Sequence, residues 1–249
     1  LLIVCLKAAL TCPFNCLLVC PYKGVLPTFL QLVNFHKLST KNKGIPLILR
    51  TRKTIKKHPL AEVIVYWSEY NENSLEYSAV SKLNKHLNSD FHLDYNNSKK
   101  PQRLSFFAKM MLNDILEKDF MIERPLSTFK KDIHGKPSID HQDLYFNISH
   151  SKNLVSIAIC TKAEIGIDVQ LMKPFSPGVA KRVFHALETK EYNESNEQQN
   201  YFFDIWSKKE ASVKATGFGI KTGLTTFSVT EKTLQLDNKK IHLAPLKIK

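Results

Sequence analysis

The stretch Phe202-Phe203-Asp204-Ile205-Trp206-Ser207-Lys208-Lys209-Glu210-Ala211-Ser212-Val213-Lys214 constrains the fold more than any other, because it is helical by period and changes character along one face. At 3.6 residues per turn Phe203, Trp206, Glu210 and Lys214 share a stripe, so an aromatic start runs into a carboxylate and then an ammonium. Trp206 is assigned to the core. Gly217 follows the last periodic residue and suits the left-handed conformation that ends helices. Glu210 and Lys214 have two readings: an exposed i,i+4 ion pair worth about 0.3 kcal/mol, or the chemical end of a face whose other end is core.

A chain of 249 residues, 43% apolar and 24% charged, is long enough to bury a full core as one large domain or two lobes. Its net charge of +13 first suggests an acidic partner or nucleic acid. The distribution argues otherwise. Leu1 to Leu60 holds ten Lys/Arg and no Asp or Glu, whereas the remainder holds 26 basic and 23 acidic residues, a balance of +3. Four of the five cysteines also lie in that leading segment, and Cys160, alone in an apolar run, reads as a small buried hydrophobe. The stretch from Leu1 to Cys20 is interrupted by Lys7 and Pro13, so it lacks the clean apolar run of about 20 residues that a membrane span needs. Residues 1–60 are therefore expected to be a basic, cysteine-rich extension, poorly ordered or not native to the folded unit.

From Ala61 the pattern is that of a folded domain. Glu62 to Trp67 predicts a strand, Ser78 to Leu87 a helix, and Arg103 to Leu116 a clearer helix with Leu104, Phe107, Met111, Leu112 and Ile115 on its apolar side. Arg103, at the start of that helix, either points to solvent or presents a guanidinium to an anion. Gly135-Lys136-Pro137 is a turn. Phe146 and Ile148 alternate with Asn147 and Ser149, so a short strand delivers Ser149, His150 and Ser151 to its end. Leu154 to Cys160 and Ile165 to Gln170 are two β-rich runs expected to form a hairpin. Asp168 and Gln170 share a face of the second run, and Gly166 beside them leaves room for a ligand or ion to approach the backbone. Val179 to Leu187 predicts a further helix, Glu188 to Asn200 a polar connection, and Leu224 to Val229 and Leu234 to Leu236 the last strands. Neither a glycine-rich phosphate loop nor an internal repeat is present.

Asp168 on a strand and Glu210 on a helix are two carboxylates able to meet across a cleft, which with waters is the oxygen ligation Mg²⁺ prefers. Lys136, Lys209, Lys214 and His150 supply donors suited to phosphate oxygens around them.

These residues match a family pattern. Gly135-Lys136-Pro137, Phe146-Asn147-Ile148-Ser149-His150-Ser151, Ile165-Gly166-Ile167-Asp168-Val169 and Trp206-Ser207-Lys208-Lys209-Glu210 with Lys214, in this order, resemble the signature of the 4′-phosphopantetheinyl transferases. The long form resembles the larger, Sfp-type branch. The resemblance implies an α+β fold of two similar lobes related by a pseudo-twofold, residues 61–145 and 146–249, with the active site and coenzyme A at their interface. It implies transfer of the phosphopantetheine arm of coenzyme A to a serine of an acyl or peptidyl carrier protein, releasing adenosine 3′,5′-bisphosphate. Ser149 and His150 would hold the 3′-phosphate, Lys136 would lie near the adenosine, and Arg103 and Lys209 would add nucleotide contacts. Asp168, Glu210 and Gln170 would hold Mg²⁺. Glu210 would help deprotonate the serine, and Lys214 would neutralise the pyrophosphate. A cytoplasmic monomer acting without nucleic acid or membrane is the expected setting.

The chain departs from the pattern at Gln170, where many relatives carry an acid, and it ends soon after the last strand signals, so the second lobe is expected to be incomplete. Two other classes compete: a Mg²⁺-dependent phosphohydrolase using the same carboxylates, and a basic nucleic-acid-binding module, for which no recognised motif is present.

Overall fold

The computed structural model describes residues 61–217, 219, 223–236 and 238–245, together with four strands nearer the N-terminus. In chain order the strands are β1 (Cys5–Lys7), β2 (Phe14–Pro21), β3 (His36–Lys37), β4 (Thr51–His58), β5 (Ala61–Glu69), β6 (Lys130–Lys131), β7 (Pro137–Ser138), β8 (Tyr145–Ser151), β9 (Leu154–Cys160), β10 (Gly166–Leu171), β11 (Thr233–Leu236) and β12 (Lys239–Pro245). The helices are α1 (Tyr77–Asn84), α2 (Lys100–Asp119), α3 (Pro177–Val183), α4 (Ala186–Glu194) and α5 (Gln198–Thr216). The class is α+β.

Two sheets organise the molecule. The first runs β3-β4-β5-β9-β8, antiparallel throughout. The apolar run of β9 is buried at every position, as a central strand covered on both faces must be. Helix α2 packs against this sheet, and the stripe read from sequence is its buried side: Leu104, Phe107, Met111, Leu112 and Ile115 are all buried. Burying each such side chain stabilises by about 1.5–3 kcal/mol. The second sheet runs β1-β2-β12-β11, with β10 on the other edge of β2. Helix α5 lies across β10 and β2, and a second core gathers Phe202, Phe203, Ile205, Val213, Phe227, Val229 and Ile241.

The close seating of α5 depends on Gly166. A Cβ built there would stand 2.1 Å from the Ala211 carbonyl oxygen and 2.6 Å from the Ala215 nitrogen. The bare glycine thus admits the helix backbone, correcting the expectation that it admits a ligand.

Other expectations are corrected by the pairing. Leu154–Cys160 and Gly166–Leu171 do not form a hairpin: β9 pairs with β5 and β8, while β10 leaves that sheet for β2. For the same reason a division at residue 145 does not follow the sheets. Strands β8 and β9 belong with β5, and the change of sheet falls between Cys160 and Gly166. The helix expected over Val179 to Leu187 is interrupted at Phe184 and His185, which have extended backbone. The polar connection expected from Glu188 is helix α4, started by reciprocal capping between His185 and Glu188. Leu224 to Val229 contains one 3₁₀ turn where a strand was expected. Trp206 is half-buried at the margin of the second core.

The expectation for residues 1–60 falls largely outside the described residues. Where the backbone there is described, β2 pairs with β10 and β12, and β4 with β5. Among the described residues no helix is long and apolar enough to cross a membrane.

Candidate active site

Strand β10 and helix α5 bring Asp168, Gln170, Glu210 and Lys214 to one place, with the end of β8 beside them. Asp168 is 1% exposed, an extreme position for a carboxylate, and its oxygens are engaged. Lys214 Nζ approaches Oδ1 at 2.5 Å, Ser149 Oγ donates to the same oxygen at 3.1 Å, and Gln170 Nε2 donates to Oδ2 at 2.8 Å. Lys214 also donates to Ser149 Oγ at 3.0 Å and to the Ile167 carbonyl at 3.3 Å. Lys214 is half-buried, so its attraction to Asp168 is less screened than on an open surface.

Glu210 stands next to this pair, one helical turn before Lys214. Its carboxyl is pushed above its ordinary 4.5, first by burial and then by the charge of Asp168, against the opposing pull of Lys214. The electrostatic position is plain: two neighbouring carboxylates share one ammonium, and the second carboxylate is held short of full compensation. A further cation at this place would relieve it. The donor set present, two carboxylates plus the amide oxygen of Gln170, is hard oxygen of the kind Mg²⁺ selects. Among the described residues no group of three or more His, Cys, Asp and Glu is assembled for a metal.

The other expected residues divide. His150 lies at the open end of β8. The protein surface against its ring, and then the Lys214 ammonium, hold its pKa below the ordinary 6.5, so it is neutral at pH 7 although the residue as a whole is exposed. Ser149 is 4% exposed and its hydroxyl is fully committed: it donates to Asp168 and accepts from Lys214 and from the Val169 N–H at 3.1 Å. A hydroxyl has one proton and two lone pairs, so none remains to donate to a phosphate in this arrangement. In this arrangement it stands among the groups that hold Asp168.

Lys209 is the clearest correction. Sequence reading put it among the coenzyme A contacts, but it points away from Glu210 into the second core with no exposed surface. Its ammonium pairs with Glu188 at 2.8 Å, donates to the Leu224 and Phe227 carbonyls at 2.6 and 2.5 Å, and lies 4.7 Å from the centroid of the Phe227 ring. Adjacent helical residues differ by about 100°, so Lys209 and Glu210 cannot share a direction. Glu188, which sequence reading passed over, accepts also from the His185 and Val229 N–H groups.

Lys136 follows the left-handed Gly135 in the β6–β7 turn and binds Glu164 and the Ala215 carbonyl, the latter at 2.9 Å, so it caps the negative end of α5. Arg103 is spent on the preceding loop: it donates to Tyr95 O at 3.0 Å and to Ser98 O at 3.3 Å, and pairs with Glu72 at 3.4 Å. The structure brings neither to Asp168. Asn147 and Ser151, to which the sequence assigned no role at the site although Ser151 was expected at the strand end, bond the strand that carries Asp168: Asn147 Oδ1 accepts from the Ile167 N–H and Ser151 Oγ from the Leu171 N–H, each at 2.9 Å. Their signal was the alternation Asn-x-Ser-x-Ser.

Comparison with known proteins covers the same part of the chain. Residues 164–246, the span that contains Asp168, Gln170, Glu210 and Lys214, match the family model of the 4′-phosphopantetheinyl transferase superfamily. The chain is 33% identical over 128 residues to the 4′-phosphopantetheinyl transferase Sfp of Bacillus subtilis, covering 50% of this chain and 57% of that protein. It is 35% identical over 118 residues to the 4′-phosphopantetheinyl transferase HetI of a Nostoc species, covering 44% and 50%. It is 38% identical over 97 residues to the putative 4′-phosphopantetheinyl transferase slr0495 of a Synechocystis species, covering 36% and 39%. The chain thus spans roughly half the length of the curated relatives it matches.

Proposed function

We propose that this member of the 4′-phosphopantetheinyl transferase superfamily moves the 4′-phosphopantetheine arm of coenzyme A onto a serine hydroxyl of an acyl or peptidyl carrier protein. Adenosine 3′,5′-bisphosphate leaves. The observation that carries the reading is the meeting of Asp168, Glu210 and Lys214, from one strand and one helix, in a partly buried place where acid charge exceeds its counter-charge. The active site lies at the junction of the two sheets, and the two units, each a sheet with one long helix, are related by a pseudo-twofold.

Asp168 and Glu210, with the amide oxygen of Gln170, would hold Mg²⁺. Bound there, the ion supplies charge neutralisation for the diphosphate of coenzyme A. The chain's own groups do the rest. Glu210, beside Asp168 and one turn before Lys214, accepts the proton of the incoming serine, directly or through a water. The serine oxygen forms its bond to the phosphorus that bears the pantetheine arm while the bond to the bridging diphosphate oxygen breaks, and that oxygen departs with the nucleotide. Lys214 meets the charge gathering on the departing oxygen, since its ammonium is already held in place by Asp168, Ser149 and Ile167. His150, exposed at the end of β8, would donate to the 3′-phosphate. Phosphoryl transfer asks mainly for positioning and charge stabilisation, which this arrangement provides.

The test is to incubate the full chain with coenzyme A, Mg²⁺ and an apo carrier protein, then weigh the carrier. A mass gain of one phosphopantetheine is expected, and Asp168→Ala should lower its rate by roughly 100-fold or more. No gain on any of several carriers that a control transferase loads would reject the reading. Loss of coenzyme A without a carrier would point to hydrolysis instead.

A further inference from the structure

Strand β10 is bonded differently along its two edges. Along one, its backbone pairs antiparallel with β2, Asp168 opposite Leu17 and Gln170 opposite Asn15. Along the other, side chains of β8 take the place of a partner strand. Asn147 Oδ1 accepts the Ile167 N–H at 2.9 Å, Ser149 Oγ the Val169 N–H at 3.1 Å, and Ser151 Oγ the Leu171 N–H at 2.9 Å. Acceptors two residues apart meet donors two residues apart, each pair separated by 20 positions in the chain. The period of two lays all three acceptors on one face of β8, and the three donors on one edge of β10.

This ladder brackets Asp168. The amides of residues 167 and 169, on either side of it, are both pinned to β8, and the Ile167 carbonyl is held by Lys214. The middle rung, Ser149, also touches the Asp168 carboxylate itself. A slip of one residue would turn Asp168 to the opposite face and offer the wrong amides to the three oxygens. Asn147 is 3% exposed, so its removal would also leave a buried amide without its acceptor.

We propose that Asn147 and Ser151 are positioning residues: they fix the register of β10 against β8 and so hold Asp168 where it meets Glu210 and Lys214. The inference rests on the reading of Asp168 and Glu210 as a divalent-cation site. Ser149 shares the ladder but also contacts the reacting cluster, so the outer rungs isolate the positioning role.

The experiment uses the full chain, with Mn²⁺ as a spectroscopic stand-in for Mg²⁺, titrated well below the melting temperature while free Mn²⁺ is followed by electron paramagnetic resonance. Ser151→Ala and Asn147→Ala should each raise the Mn²⁺ dissociation constant by roughly 10-fold, the scale on which outer groups tune a metal site. Ser151→Thr, which keeps the accepting oxygen, should restore it. Unchanged Mn²⁺ affinity in folded alanine variants, whatever their melting temperatures, would overturn the proposal, because a purely structural role lowers stability without moving the site. Should Asn147→Ala fail to fold, Ser151→Ala at the half-buried end of the strand decides the matter. If the wild-type chain takes up no Mn²⁺, the metal reading falls, and amide hydrogen exchange judges the ladder alone. Faster exchange of Leu171 spreading to Val169 in Ser151→Ala sustains register control, and unaltered exchange ends it.

Discussion

Lys209 and Lys214 sit five residues apart on the same helix, each facing an acid, and they do opposite things. Lys209 and Glu188 form a closed knot: neither has exposed surface, and both are held by further protein groups, the Leu224 and Phe227 carbonyls on one side and the His185 and Val229 amides on the other. Lys214 and Asp168 form an open one: the lysine is half-buried, and Glu210 beside them carries a second negative charge that the pair does not cancel. A saturated ion pair holds a fold together. One with surplus charge is ready to receive a ligand of opposite sign.

The comparison can be broken from either side. The largest effect is expected at the closed pair: Lys209→Met leaves the Glu188 carboxylate buried without its partner and should cost about 3–5 kcal/mol of unfolding free energy by denaturant titration. Adding Glu188→Leu should recover part of that loss but not all of it, since the uncompensated charge goes while the bonds from the His185 and Val229 amides are now lost as well. A neutral outcome for Lys209→Met would mean the knot is not the structural element described.

A smaller effect is expected at the open pair. Gln170 donates its amide to Asp168, so Gln170→Glu replaces a donor with a third carboxylate. Mg²⁺ affinity should tighten several-fold by calorimetry, while the metal-free variant melts lower because the introduced carboxylate and Asp168 repel. Unchanged metal dependence would remove Gln170 from the site.

The smallest is a pH effect. The folded pKa of Glu210 lies above its unfolded 4.5, so the folded state binds its proton more tightly. The resulting stability is fully present below pH 4.5 and is lost as pH rises through the raised value. His150 has the opposite sign: its folded pKa lies below 6.5, so its contribution is present above that pH and is lost as pH falls through the lowered value. In the metal-free protein, melting temperatures of wild type and Glu210→Gln should diverge as pH rises past 4.5, and Mg²⁺ should close the gap. Parallel curves would show that Glu210 is not held short of counter-charge.

Much of this was legible in the residues themselves. The 3.6-residue period located α5 and its stop at Gly217, which has the left-handed φ of 79° expected of it. The period of two located β8 and put Asp168 and Gln170 on one face. What failed failed for tertiary reasons. Leu154–Cys160 and Gly166–Leu171 are both β-rich and separated by a short turn, which is all a hairpin asks locally; β2 and β5 claimed their edges instead. Gly166 beside Asp168 suggested room for a ligand, but the room is filled by the backbone of α5. Ser149 was expected to face a ligand, whereas its hydroxyl bonds Asp168, Val169 and Lys214, partners the local pattern could not name.

By itself the sequence determined which elements exist and which chemistry-bearing residues each one carries, because helix and strand periods are properties of the local backbone. Only the tertiary structure decided what each charged group faces. Two neighbouring residues on α5, Lys209 and Glu210, point about 100° apart, and whether a direction meets a core, a counter-ion or an open cleft depends on segments distant in the chain, Glu188 for one and Asp168 for the other.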